Sequence, residues 1–177
     1  PLVTGFGGSR VTPESAEYAD GVRLGRALAV GGLTVVTGGY HGMMAAVSQG
    51  AKEGGGATVG VTLTSLSDSV WPNPWIDEEV RTSALLHRID KLIELGEGFV
   101  VMPGGAGTMA ELAVVWNLAI IGALHGKPAT HGDDQALKDA AKRLAAESGV
   151  QYVEANTILR ADVMPTPTNF DEVIKNL

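Results

Sequence analysis

Met102-Pro103-Gly104-Gly105-Ala106-Gly107-Thr108 is the stretch on which the reading of this chain turns. The apolar run Gly98 to Met102 ahead of it predicts a buried strand, and Thr108 to Ile121 behind it predicts a strongly apolar helix. Glycines at 104, 105 and 107 let the connecting backbone wrap closely around a small group. A helix N-terminus leaves N–H donors unpaired and carries partial positive charge, so the turn suits an anion, above all a phosphate. A strand-to-helix turn with no ligand would use the same residues.

The same alternation recurs upstream. Leu2 to Phe6 reads as a strand, followed by the turn Gly7-Gly8-Ser9-Arg10. Thr12 as N-cap and Pro13 at the first helical position predict a helix running to about Val30, stopped by Gly31-Gly32. Leu33 to Thr37 is apolar and β-branched, a second strand, and ends in Gly38-Gly39-Tyr40-His41-Gly42. A helix from Met43 to about Glu53 and a strand from Thr58 to Thr64 come next. Ser65 to Ile76, with Trp71, Pro72, Pro74 and Trp75, reads as a long ordered loop. Glu79 to Thr82 is a short strand, and Leu85 to Leu95 a helix on the spacing of Leu85, Ile89, Leu92 and Ile93. Toward the C-terminus, Lys127 to Thr130 reads as a weak strand, Gln135 to Glu147 as an amphipathic helix and Asn169 to Leu177 as a short terminal helix. Strands alternating with helices predict an α/β fold with a mainly parallel sheet, in a single nucleotide-binding domain over residues 1–177.

In such a sheet the C-terminal ends of the strands share one edge, so the three glycine turns face one crevice. Gly8 and Ser9, Gly39 and Gly42, and Gly104, Gly105, Gly107 and Thr108 are therefore the candidate nucleotide- and phosphate-binding residues. No Gly-Lys-Ser/Thr follows the third turn, which excludes a Walker A loop, and its spacing is not that of a dinucleotide fingerprint. A monophosphate fits what is left.

Composition narrows the partners. The 177 residues are 45% hydrophobic with a net charge of −7 and no basic block, which argues against a nucleic-acid surface. No apolar run reaches the roughly 18 residues of a membrane span, and no signal peptide is visible in a chain that opens on Pro1. The lack of cysteine removes disulfides, thiolate zinc sites and cysteine nucleophiles, and fits a cytoplasmic protein. His41, His87, His125 and His131 are not spaced as a ligand set, so neither a metal nor a cofactor is expected. Ser9 is not in a Gly-x-Ser-x-Gly elbow. Trp71 and Trp75 either stack on a base or anchor their loop.

Two readings of Glu111 stand side by side. Thr108-x-x-Glu111 is the spacing of a capping box, which the pattern alone favours, and it also sets a carboxylate one turn from the glycine loop. Arg88 is either the polar face of a core-packing helix or part of the site. Here a resemblance bears on the choice. Pro103-Gly104-Gly105-Ala106-Gly107-Thr108-Met109-Ala110-Glu111 resembles the PGGxGTxxE motif of the LOG (Lonely Guy) family, long labelled "lysine decarboxylase-like". Gly38 to Ala46 is similar to that family's GGGxxGLMGA run, Gly8-Ser9-Arg10 to its N-terminal turn, and Arg88 stands at the family's separation ahead of Glu111. The resemblance covers roughly Val3 to Pro128.

It implies a Rossmann-like three-layer fold, usually dimeric, and release of a free base, such as a cytokinin, from a nucleoside 5′-monophosphate to leave ribose 5-phosphate. It implies that Gly104, Gly105, Gly107 and Thr108 hold the 5′-phosphate, with Glu111 as the catalytic carboxylate and Arg88 as its partner. The departures are Ile89 where the family has lysine, Tyr40 where a third glycine is common, and Ala45 where a glycine is common. Related carriers, among them a molybdenum-cofactor carrier, share the scaffold without the hydrolysis, so a non-enzymatic binder is the alternative. Lysine decarboxylation needs a Schiff-base lysine, and nothing marks Lys52, Lys91 or Lys127 for that role. The helix after Thr108 is apolar on nearly every face, which predicts either a homodimer interface or a fully buried central helix.

Overall fold

A computed structural model of the chain describes residues 1–66 and 70–124. The elements expected over Lys127 to Thr130, Gln135 to Glu147 and Asn169 to Leu177 lie outside the described residues. In order the chain forms β1 (Leu2–Phe6), α1 (Ala16–Val30), β2 (Thr34–Thr37), α2 (Met43–Glu53), β3 (Thr58–Leu63), a 3-10 turn (Thr64–Leu66), β4 (Glu78–Thr82), α3 (Leu85–Leu95), β5 (Gly98–Val101) and α4 (Ala106–Ile120). All five strands are parallel, in the order β4-β3-β2-β1-β5. Helices cover both faces, so the Rossmann-like three-layer α/β fold holds.

The two faces follow from the period of two along each strand. Val3 and Val35 pack with Leu24, Leu28, Met43 and Val47 of α1 and α2. Phe6, Val36 and Val61 point the other way, to Ile89 and Leu92 of α3 and Val115 of α4. Burial on both sides is why the inner strands are nearly continuous apolar runs, whereas β4 at the edge, Glu78-Glu79-Val80-Arg81-Thr82, is charged and mostly exposed. Thr4, buried among them, donates its hydroxyl to the Leu92 carbonyl at 2.8 Å and so carries no polar debt into the core.

The start of α1 corrects the sequence reading. Thr12 is not the N-cap and Pro13 does not open the helix. Thr12 to Ser15 close a turn, with the Ser15 N–H donating to the Thr12 carbonyl at 3.0 Å. Ser15 then caps α1 by accepting from the Tyr18 N–H at 3.1 Å. Both residues can cap, and the turn decides which one does.

Candidate functional site

Chain order places the site. From β1 the chain winds outward through β2, β3 and β4, then α3 returns it to β5 on the other side of β1. The β1/β5 boundary is thus the switch point, where open α/β sheets hold ligands beyond their strand ends. The loops there are stitched together. The Gly8 N–H donates to the Pro103 carbonyl at 3.1 Å, and the Met43 N–H to the Gly8 carbonyl at 2.9 Å. Gly42, at φ +68°, packs so closely on the first loop that a Cβ would lie 2.5 Å from the Gly8 oxygen. The three glycine turns therefore form one continuous surface, with Ser9 exposed on it.

The third turn differs from the expectation at its helix end. The Gly105 carbonyl accepts the first helical bond, from the Met109 N–H at 3.0 Å, so α4 begins two residues before Thr108. Thr108 sits inside the first turn with its side chain buried against Gly104, where a Cβ would overlap its hydroxyl. It cannot be the N-cap, and the capping box between Thr108 and Glu111 is not formed. Gly105 and Gly107 are exposed, and among the described residues nothing beyond their own chain neighbours and helix backbone comes within 4 Å of where a Cβ would stand on either.

Released from capping, Glu111 is a buried carboxyl, 9% exposed, with no hydrogen-bond partner among the described residues. Burial pushes its pKa up to about 7, against the Arg88 charge, which pulls it down. Arg88 reaches the site from α3. Its Nε donates to the Val61 carbonyl at 2.8 Å and its Nη2 to the Gly38 carbonyl at 3.0 Å. The guanidinium also lies 5.5 Å from the Tyr40 ring centroid and 3.8 Å from the Met44 sulfur. Burial lowers the Arg88 pKa, while Glu111 and Tyr40 work in the opposite direction. At Gly38 a Cβ would overlap the guanidinium, so this glycine makes room for the protein's own cation. The arrangement sets a fixed cation near an acid whose pKa burial raises, beside a helix N-terminus that is exposed among the described residues.

Sequence reading missed the seat of Arg88, since Gly38, Val61 and Arg88 lie far apart in the chain. It also missed Asn73. That side chain, 4% exposed, donates to the Gly39 carbonyl at 3.1 Å and the Tyr40 carbonyl at 2.9 Å, and accepts from the Trp75 N–H at 3.1 Å. Asn73 thus fastens the long loop to the second glycine turn. Trp71 is 73% exposed, and Trp75 is half-buried. His41 and His87 are exposed, while His125 and His131 lie outside the described residues. Lys52 is engaged by Asp77 at 2.7 Å and Lys91 by Glu94; Lys127 is not among the described residues. Of the departures from the LOG pattern, Ile89 and Ala45 are core residues. Among the described residues α4 is not covered all round: Met109 is 53% exposed and Ala110, Ala113 and Asn117 are exposed. No helix among the described residues is long and apolar enough to cross a membrane.

The sequence model of the SLOG cluster4 family matches residues 2–157. A Mycobacterium marinum protein named cytokinin riboside 5′-monophosphate phosphoribohydrolase is 38% identical over 116 residues, which cover 65% of this chain and 60% of that protein. The Mycobacterium tuberculosis protein of the same name is 34% identical over 119 residues, covering 66% and 63%. The chain thus spans somewhat less than two thirds of either relative. Among solved structures, the molybdenum cofactor binding protein of Rippkaea orientalis superposes with a TM-score of 0.60 at 22% identity, over 99% of this chain and 96% of that one. That likeness is one of fold.

Proposed function

The chain belongs to the SLOG cluster4 family, and from that premise we propose that it is a nucleoside 5′-monophosphate phosphoribohydrolase, releasing a free base such as a cytokinin and ribose 5-phosphate. The observation that carries the reading is Glu111: a buried carboxyl with no hydrogen bond among the described residues, one turn from an open glycine loop and within electrostatic reach of a fixed Arg88. The names of the mycobacterial relatives support the same class of reaction.

In this reading the 5′-phosphate binds the N–H groups of Gly104, Gly105 and Gly107 with Thr108, flanked by Gly8 and Ser9, while Gly39, whose N–H donates to Thr37 Oγ1 at 3.1 Å, and Gly42, packed on Gly8, shape the nucleotide site from the second turn without touching the phosphate. The ribose then lies between Arg88 and Glu111. The C1′–N bond breaks with its electron pair going to the base, and positive charge develops on the sugar. The Glu111 carboxylate stabilises that charge and takes a proton from the water whose oxygen bonds C1′; the proton passes on to the departing base. A pKa near 7 suits a group that both accepts and returns a proton at neutral pH. Arg88 Nη1 has no hydrogen bond among the described residues and is the donor left for the ligand. The single domain over residues 1–177 and a homodimer through the exposed face of α4 belong to the same proposal; a clean monomer in sedimentation at micromolar concentration removes the dimer.

The test is incubation with a panel of nucleoside monophosphates, including an N6-prenylated AMP, with free base read by chromatography. Wild type should release base from at least one. No base from any of them, with saturable AMP binding, would instead support the second reading, a non-enzymatic nucleotide or cofactor carrier on this scaffold. One observation favours that alternative: two of the Arg88 nitrogens are committed to backbone carbonyls.

A further inference from the structure

Strand β2 stops at Thr37, paired with Gly60, while β3 runs on beside β4 as far as Leu63, opposite Thr82. The β3 backbone groups that face β2 alternate along the strand, so beyond the Thr37–Gly60 pair the Val61 carbonyl and both backbone groups of Leu63 have no strand to pair with. Two side chains take the place of the missing strand. Arg88 Nε donates to the Val61 carbonyl at 2.8 Å. The Tyr40 hydroxyl accepts from the Leu63 N–H at 2.8 Å and donates to the Leu63 carbonyl at 3.3 Å. Arg88 and Tyr40 therefore stand on neighbouring rungs of one strand edge, with the guanidinium 5.5 Å from the ring centroid.

We propose that Tyr40 is a positioning residue for Arg88, its ring walling the guanidinium and its hydroxyl locking the ring to the end of β3. The proposal rests on the phosphoribohydrolase reading for its kinetic consequence but not for its geometry. Tyr40 is itself held from both sides. Its ring is buried, and its carbonyl accepts from Asn73 Nδ2 at 2.9 Å. With Nε and Nη2 on backbone carbonyls and the ring beside them, the guanidinium has one orientation, and Nη1 is the donor it presents to a ligand. A glycine at position 40 would leave the Leu63 groups and one flank of Arg88 to water. Tyrosine here substitutes a rigid wall for that water. Desolvated cation–π pairs are worth enough to shift such an equilibrium about tenfold.

The test uses Tyr40→Phe, which keeps the ring but not the hydroxyl bridge, and Tyr40→Leu, which keeps neither. Two quantities are read: kcat and KM on a nucleoside monophosphate, and the Arg88 Nε–H resonance of the unliganded protein, assigned by its loss in Arg88→Lys. Tyr40→Leu should lower kcat about tenfold with KM within about twofold, and should shift the Arg88 resonance and speed its exchange with water. Tyr40→Phe should fall between it and wild type. An Arg88 resonance and kcat unchanged in a folded Tyr40→Leu would overturn the proposal. If that variant does not fold, an unchanged Arg88 exchange rate in Tyr40→Phe overturns it equally. The resonance needs no turnover, so a wild type that releases no base defeats the phosphoribohydrolase reading while the resonance still decides the role of Tyr40.

Discussion

The second and third glycine turns look alike in sequence and do opposite things in the structure. Both follow a strand and lead into a helix. In the second, Gly38 is filled by Arg88, Gly39 packs on Gly60 and Thr62, and Gly42 packs on the first loop. In the third, Gly104 is packed, but Gly105 and Gly107 face open space. The acids and bases divide the same way. Arg88, behind the second turn, is tied to two carbonyls, whereas Glu111, behind the third, has no hydrogen bond among the described residues. A glycine is a void in the side-chain layer, and who fills it sets its role. The filled half holds the protein's own cation, and in the proposed function the open half is where an anion from outside finds its donors.

Removing the acid of the open half should have the largest effect. Glu111→Gln should lower the rate of base release at least about a hundredfold, the usual scale for a lost acid–base group. A variant that still released base at a rate near wild type would take Glu111 out of the mechanism.

The same substitution should stabilise the fold. The folded pKa of Glu111 is raised from 4.5 to about 7. The group therefore costs folding nothing below about pH 4.5, and its cost grows as pH rises to about 7. At pH 8 Glu111→Gln should exceed wild type by about 3 kcal/mol, with the gap closing below about pH 4.5. Denaturant melts at the two pH values read this, and equal stability at pH 8 would mean that the acid is solvated or paired.

Filling the void of the closed half comes next. Gly38→Ala should displace Arg88 and cost about 1–3 kcal/mol from overpacking, with loss of the Arg88 Nε–H resonance described above. An alanine accepted without loss of stability would mean that Arg88 is not seated there.

The smallest effects belong to the open glycines, and they should run against those at Gly38. Among the described residues, Gly105→Ala and Gly107→Ala meet no atom beyond their own chain neighbours and helix, so neither should overpack, and at Gly107, inside α4, alanine should add up to about 1 kcal/mol. AMP affinity should nevertheless fall about tenfold, because the methyl group occupies the ligand's approach. Calorimetric titration that found unchanged affinity in both would erase the distinction between the two turns.

How far these differences could be read from sequence depends on how local their causes are. Helix α2 was legible to the residue because glycines flank it, and α3 because its apolar spacing is clean. The start of α1 was misread since Thr12 and Ser15 both cap well and only the turn between them decides. Helix α4 was misread for a similar reason: the rule that favours threonine as cap overlooks that the Gly105 carbonyl takes the first bond. That two-residue shift frees Glu111, so the spacing alone pointed to a cap where the LOG resemblance pointed to the site. Asn73 and the seat of Arg88 were beyond reach because each joins segments that only the folded sheet edge brings together.

The division between a filled turn and an open one is tested most directly by following backbone amides while AMP is titrated into the labelled wild-type protein. The amides of Gly105, Gly107 and Thr108, with that of Gly8 across the stitched loops, should move and saturate together, and those of Gly38 and Gly39 should stay in place. Shifts centred on Gly38 to Tyr40, with Gly105 to Thr108 unmoved at saturation, would contradict the account.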